Sequence, residues 1–269
     1  MAMKRIQLFE FEDFRWFPRV FRECLTNYIV AFHRMLGTPK IIAPLIERML
    51  ELNHSNEILD LCSGGGGAMP AIIELLQKER GRTLNVTLTD LFPNQEAARL
   101  INGKNNPGLK YLTTPIDASN IPPERSGVRT MISGFHHMPE PVARGILADA
   151  FHKRQPIFIF EITNNTPPTI LWWVPLPFVA LMALVHTPFM RPLTWRQIFF
   201  TYIVPVMPLV IAWDGTASNP RTYNSDDFEE LTAPLAAQDY CWEIQTMRPR
   251  FYPEVMLCVM GYPVNAAAV

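Results

Sequence analysis

The stretch Ile58-Leu59-Asp60-Leu61-Cys62-Ser63-Gly64-Gly65-Gly66-Gly67 decides the fold, because a short apolar run ending in an acid passes directly into four glycines. Glycine adopts turn conformations that other residues resist, so the chain can bend sharply there and a ligand can approach main-chain atoms. The next segment, Ala68 to Glu79, carries Ile72, Ile73, Leu75 and Leu76 among good helix formers and reads as a helix whose N-terminus offers unpaired N–H groups. Strand, glycine turn and helix together form the first βα unit of a parallel sheet.

The same rhythm continues outward. Val86 to Thr89 reads as a strand ending in Asp90, followed by a helix from Asn94 to Ile101. Leu109 to Thr113 and Val128 to Ser133 are the next strands, Pro141 to Phe151 the helix after them, and Ile157 to Ile162 a fifth strand. Such alternation implies right-handed crossovers and a parallel α/β sheet. Cys241 to Met247 and Val255 to Gly261 flank a proline-bearing turn and predict an antiparallel hairpin at the sheet edge. On the N-terminal side, Phe14 to Leu52 reads mostly as helix, with Phe21, Leu25, Tyr28, Ile29 and Phe32 on one apolar face and Pro39 and Pro44 as breaks. The expected organisation is a helical cap over 1–52 and a Rossmann-like domain over 53–269, with an apolar insertion at about 165–215.

A ligand of such a sheet sits outside the carboxyl ends of its strands, where the strand order reverses. The glycine loop could hold a nucleotide, a dinucleotide or S-adenosylmethionine. No Lys-Ser or Lys-Thr follows the glycines, so a phosphate-cradling loop lacks its cation. A dinucleotide fingerprint needs a small residue where Met69 stands. Asp60 would repel a pyrophosphate but suits a ligand with an ammonium or sulfonium charge.

In these residues the sequence resembles the class I S-adenosylmethionine-dependent methyltransferases. The resemblance runs from Glu57 to Ile162, weakly includes the final hairpin, and implies a Rossmann-like sheet with S-adenosylmethionine as cofactor. Asp60, Cys62, Ser63, Gly64 and Gly66 correspond to the acidic strand end and glycine loop around the cofactor's methionine moiety. Asp90, with Leu91 beside it, resembles the acid that accepts both ribose hydroxyls. Asp117 and Ala118 resemble the segment that takes the adenine amino group. Ser133-Gly134-Phe135-His136-His137-Met138-Pro139 resembles the segment after the fourth strand, with Gly134 and Phe135 near the cofactor. Cys62 departs from the pattern, since the family usually has glycine there.

Methyl transfer is an in-line displacement, so the protein must align a nucleophile and, for a hydroxyl or amine acceptor, take up a proton. His136 and His137 follow the fourth strand, and because a free imidazole titrates near neutrality they are the candidate bases. A loop-bracing hydrogen bond is the other reading of this pair. Glu161 ends the fifth strand and reads as a brace. His54, His152 and His186 have no spaced partners, and the four cysteines, Cys24, Cys62, Cys241 and Cys258, include no Cys-x-x-Cys pair, so no metal site is implied and a reducing cytoplasm is expected.

The net charge of −1 over 269 residues argues against nucleic-acid binding, which requires clustered Lys and Arg. Glu10, Glu12 and Asp13 interrupt the apolar residues near the N-terminus, which a secretory leader would not tolerate. The mean hydropathy of +0.05 reflects a local excess between Pro167 and Trp213. Each apolar run there is broken by proline and shorter than the ~18 to 20 residues that span a bilayer. Three readings stand: a lid whose Trp172 and Trp173 line an apolar acceptor pocket, a segment that dips into the inner membrane surface with Arg191 and Arg196 at headgroups, or a core or homodimer contact. The following Trp213 to Tyr223 stretch reads as a polar, aromatic loop leading to a helix capped by Ser225, and Trp213, Arg221 and Tyr223 are candidates to orient a small apolar or aromatic acceptor. An Arg221–Asp214 ion pair is the structural alternative. The expected activity is methyl transfer to oxygen; a non-catalytic S-adenosylmethionine-binding protein and a nicotinamide-dependent oxidoreductase are the alternatives.

Overall fold

The computed structural model describes residues 3, 5–104, 106, 108–165, 171, 173–248 and 255–264. Trp172, one of the candidate acceptor contacts, lies outside the described residues. Seven strands form one sheet: β1 (Glu57–Asp60), β2 (Asn85–Leu88), β3 (Leu109–Tyr111), β4 (Val128–Ile132), β5 (Ile157–Glu161), β6 (Tyr240–Met247) and β7 (Met256–Pro263). Their order is β3-β2-β1-β4-β5-β7-β6, parallel throughout except for β7, which runs antiparallel to both β5 and β6. This is a Rossmann-like, mostly parallel sheet with the expected C-terminal hairpin. The order reverses between β1 and β4, so the crevice for a ligand lies at their carboxyl ends.

Side chains two apart along a strand share a face, and the two halves of the core follow that rule. Phe158 and Phe160 of β5, with Met256, Cys258 and Met260 of β7, pack beneath α2 (Thr38–Leu52), α3 (Met69–Arg80) and α4 (Gln95–Asn102). Ile157 and Ile159, with Leu257 and Val259, face α5 (Glu140–His152) and α9 (Ser225–Thr232). All five residues of β5 are buried, because helices cover both faces and strands flank both edges.

A third cluster lies outside this sandwich. Phe17 and α1 (Arg19–Met35), which contributes Leu25 and Tyr28, pack on α6 (Leu176–His186) and α8 (Val206–Arg221), with Ala183, Met207 and Val210 among the buried contacts. The N-terminal helix and the apolar insertion therefore bury each other. Their outer side stays apolar and open: Phe178, Val185, Phe189, Trp195 and Leu209 are all exposed, several by more than 65%. Among the described residues no single helix is long and apolar enough to cross a membrane; two sharply bent helix pairs pass by length and composition alone.

Two local expectations are corrected. Residues 213–221 form the second half of α8 rather than a loop. Gly215, Ser218, Asn219 and Pro220 are turn-forming residues, but tertiary burial overrides that preference, and Ser218 and Thr222 spend their hydroxyls on Asp214 and Ser218 carbonyls four residues back. The last helix is capped by Asn224 rather than Ser225: the Asn224 side chain accepts from Asp227 N–H and Asp227 accepts from Asn224 N–H.

Candidate functional site

The glycine loop leaves β1 at the switch point and is held from three sides. Asp60 turns into the protein, where its carboxylate accepts hydrogen bonds from Ser63 Oγ and from Thr130 Oγ1 on β4, both at 2.6 Å. Burial raises its pKa to about 6, with Ser63 and Thr130 opposing the rise and Asp90 adding to it. Gly64 N–H donates to Asp90 at 2.9 Å, and the other Asp90 oxygen accepts from Phe92 N–H. Tyr111 at the end of β3 donates its hydroxyl to the Gly64 carbonyl at 2.8 Å. Each Asp90 oxygen keeps a second lone pair for a ligand hydroxyl.

Two backbone features show why the loop needs its composition. Gly66 has φ +100°, a conformation that L side chains rarely adopt. At Gly65 a methyl group would stand 2.1 Å from the Thr26 methyl of α1, so the first helix roofs the loop directly. Cys62, which stands where the related family has glycine, also takes a positive φ of +55° and carries the strain of it. Its thiol is pushed up by burial, then by the charges of Asp90, Asp60 and Asp117.

Asp117 is exposed and accepts from Ser119 N–H and Oγ, while Ala118 beside it is buried. Leu91 is exposed next to Asp90, and a methyl group placed on Gly134 would stand 3.6 Å from Cys62 Cβ, so these two backbone segments lie close together. The cofactor candidates Asp60, Cys62, Ser63, Gly64, Gly66, Asp90, Leu91, Asp117, Ala118 and Gly134 thus belong to the carboxyl edge of β1, β2 and β4. Phe135 is a correction: its ring is fully buried between Tyr223 and Phe228, so only its backbone remains for a ligand, and its N–H is already given to Glu161 at 2.7 Å.

The histidine pair lies in a different setting from the open rim that its place after β4 suggests. Glu161, ending β5, accepts from the Phe135 and His136 N–H groups and pairs with His136 Nδ1 at 2.7 Å. These contacts outweigh the effect of burial and keep the Glu161 carboxyl below its usual value. The N-terminal residues 10–13 close over the rings. Asp214 fixes that segment by accepting the Phe11 N–H at 2.8 Å and the Glu12 N–H at 3.4 Å. His137 Nδ1 then meets Asp13 at 3.0 Å and its Nε2 meets Glu12 at 3.1 Å. Burial works against a charged His137, but Glu10, Asp13 and Glu12 outweigh it and hold its pKa well above the usual range. Burial also pushes the Asp214 carboxyl up to about 8 despite its two N–H donors, with Glu10 and Glu12 adding to the rise.

Arg221 and Tyr223 are corrections too. Arg221 is buried and pairs with Asp13 at 2.6 Å and Glu10 at 3.3 Å, not with Asp214. Tyr223 is buried under the Arg5 guanidinium and donates to the Met138 carbonyl at 2.9 Å. The Tyr223 hydroxyl is spent on that carbonyl, and the Arg221 Nε, which has no partner, is buried with the rest of a side chain that is only 1% exposed. Trp173 and Trp213 do come together, with ring centroids 5.6 Å apart, and Trp213 also stacks on Phe9. Glu10, Glu12 and Asp13 are the participants that the sequence reading missed. Their only local signal is an acidic cluster between aromatic residues, which says nothing about docking on a segment far along the chain.

No family model and no curated protein sequence matches the chain. Among solved structures it is similar to the methyltransferase domain of bacterial CtHen1-CN, at 12% identity and TM-score 0.48, covering 86% of this chain and 99% of that one. It is similar to PigF with SAH, at 12% identity and TM-score 0.44, over 86% of this chain and 58% of that one. It is also similar to the CMeT domain of the citrinin polyketide synthase, at 16% identity and TM-score 0.44, over 78% and 46%. The chain spans about half the length of these last two, 58% and 46%. With TM-scores below 0.5 and identities of 12–16%, this likeness carries no argument, and the function rests on the residues of the chain itself.

Proposed function

We propose that the chain is an S-adenosylmethionine-dependent methyltransferase that acts on a small apolar or aromatic acceptor, with oxygen as the methylated atom. One observation carries the reading: at the switch point Asp90, the acid that follows β2, reaches the glycine loop and accepts the Gly64 N–H at 2.9 Å, while each of its oxygens keeps a lone pair for a ligand hydroxyl. A crevice of this charge rejects a pyrophosphate and favours a ligand that is cationic at one end. The Asp60 carboxyl, turned into the protein and raised to about 6, would act on a ligand ammonium through its charge rather than by contact, and a cationic ligand would favour its charged form. Asp90 then faces the ribose hydroxyls, Leu91 and Ala118 flank the adenine, Asp117 takes its amino group, and the backbone of Cys62 to Gly66 and of Gly134 follows the methionine moiety.

When bound, the cofactor supplies a methyl group activated by a sulfonium. The chain's own part is to align the acceptor and manage its proton. On this reading that proton goes to His136, the candidate base beside His137, since the surrounding carboxylates already favour the charged form of His137. The acceptor reaches the pair from the side of His137, whose side chain keeps 20% of its surface. The exposed apolar residues of the insertion, with Trp173 and Trp213, favour an apolar acceptor, met at the inner membrane surface or across a contact with a second copy; a cytoplasmic location goes with this reading.

Calorimetry with S-adenosylhomocysteine and with NADH tests it. Binding of the first alone is expected, with Asp90→Ala weakening it by tenfold or more. Tight NADH binding would replace the reading with the nicotinamide alternative. Binding without turnover on any phenolic or carboxylic acceptor would favour a non-catalytic binding protein.

A further inference from the structure

We propose that Glu10, His136 and His137 form a binding site for one divalent transition-metal cation. The two imidazoles and the carboxylate each offer a ligand atom, and those atoms lie within 4.8 Å of one another, a spacing that a single ion between them would fit. His136 Nε2 stands 3.9 Å from Glu10 Oε1 and His137 Nε2 stands 3.7 Å from Glu10 Oε2. Both separations exceed hydrogen-bond length, so the three groups face one another without being satisfied by one another.

Three further features distinguish this cluster from ordinary ion pairs. First, each imidazole is anchored by its other nitrogen: Glu161 holds His136 Nδ1 at 2.7 Å and Asp13 holds His137 Nδ1 at 3.0 Å. A carboxylate on the far nitrogen fixes the ring orientation that presents Nε2 to an ion, which at His137 would replace the 3.1 Å contact with Glu12. Second, Glu10 and His136 are almost fully buried, their side chains only 2% and 5% exposed, and both protein partners of Glu10, Ser218 at 3.1 Å and Arg221 at 3.3 Å, meet its Oε1, which leaves Oε2 facing His137. Third, Glu10, Glu12, Asp13 and Glu161 gather around the two imidazoles, and among the described residues Arg221 supplies the guanidinium that reaches them, at 2.6 Å from Asp13 and 3.3 Å from Glu10. A dication would offset that surplus. Glu12, 24% exposed and 3.1 Å from His137 Nε2, stands on the open side and can complete the ligand set or yield to an incoming oxygen ligand.

Two nitrogens in three donors select the class of ion. Imidazole with carboxylate suits Zn²⁺, Fe²⁺ or Mn²⁺, whereas Ca²⁺ and Mg²⁺ take oxygen ligands. The inference goes beyond the methyl-transfer reading and does not need it. If both hold, the histidines serve as ligands rather than free bases, and an oxygen acceptor binds at the cation; that last clause alone rests on the proposed function.

The experiment uses the full chain after treatment with a chelator. Titration with Zn²⁺ should show one ion per chain, Co²⁺ should give visible absorption bands typical of nitrogen ligation, and Ca²⁺ should not compete. His136→Ala and His137→Ala should each lower Zn²⁺ affinity more than 100-fold, and Glu161→Gln, which leaves all three ligands in place, by 10- to 100-fold. If the alanine variants fail to fold by circular dichroism, Glu161→Gln and Glu12→Gln carry the test. Absence of stoichiometric Zn²⁺ binding to the parent chain, wild-type affinity in the histidine variants or in Glu161→Gln, or equal binding of Ca²⁺ would overturn the proposal. S-adenosylhomocysteine binding by the chelated protein reads the cofactor site separately, so failure of one inference does not masquerade as failure of the other.

Discussion

Replacing Asp60 by Asn tests the link between folding and ligand charge most directly. The carboxyl is buried, and its pKa rises from an ordinary 3.8 to about 6, mainly through loss of solvation. The folded chain therefore holds this proton more tightly than the unfolded chain does. The stability contributed by the protonated form is complete below about 4 and is lost as pH rises through 6, a total of about 3 kcal/mol. Between pH 5 and pH 8 roughly half of it, about 1.5 kcal/mol, should be measurable. Asn is nearly isosteric and can still meet the Ser63 and Thr130 hydroxyls, but it has no proton to lose. Denaturant unfolding of parent and Asp60→Asn at a series of pH values should give a stability difference that moves in the variant's favour as pH rises, with other titrations cancelling. The cofactor should show the converse: parent affinity for S-adenosylhomocysteine falls about tenfold per pH unit below 6, and the variant binds weakly with little pH dependence. A stability difference that stays flat from pH 5 to pH 8 would refute the argument, because it would mean that burial does not bias this carboxyl toward its neutral form.

Cys62→Gly should relieve the positive φ at that position and raise stability by up to about 1 kcal/mol in chemical denaturation; a loss of similar size would mean that thiol packing matters more than the backbone. The exposed apolar side of the insertion predicts that the chain floats with anionic liposomes, and that Phe178→Ser with Phe189→Ser reduces flotation several-fold. Recovery in the soluble fraction together with a dimer in sedimentation would instead assign that surface to a second copy.

The strands, the glycine loop and the three acids were legible because each is set by neighbours in sequence. A parallel strand needs a few apolar residues, a βα turn needs glycine, and an acid at a strand end lands on the carboxyl edge whatever the rest of the chain does. The predicted strands accordingly match those observed to within two residues at each end, as with β5 at Ile157–Glu161.

Other features follow from contacts between distant segments. Local preference makes 213–223 a loop, yet Asp214, Ser218 and Arg221 are consumed by the N-terminal residues and by the helix itself, and burial makes the helical form the better one. The arrangement around His136 and His137 is of the same kind. Sequence alone determined that two histidines follow the fourth strand, since chain order is enough for that. Only the tertiary fold decided that Glu10 to Asp13 should close over them, because the docking energy comes from Asp214, Arg221 and the buried aromatic contacts of the insertion, none of which is near either segment in the chain.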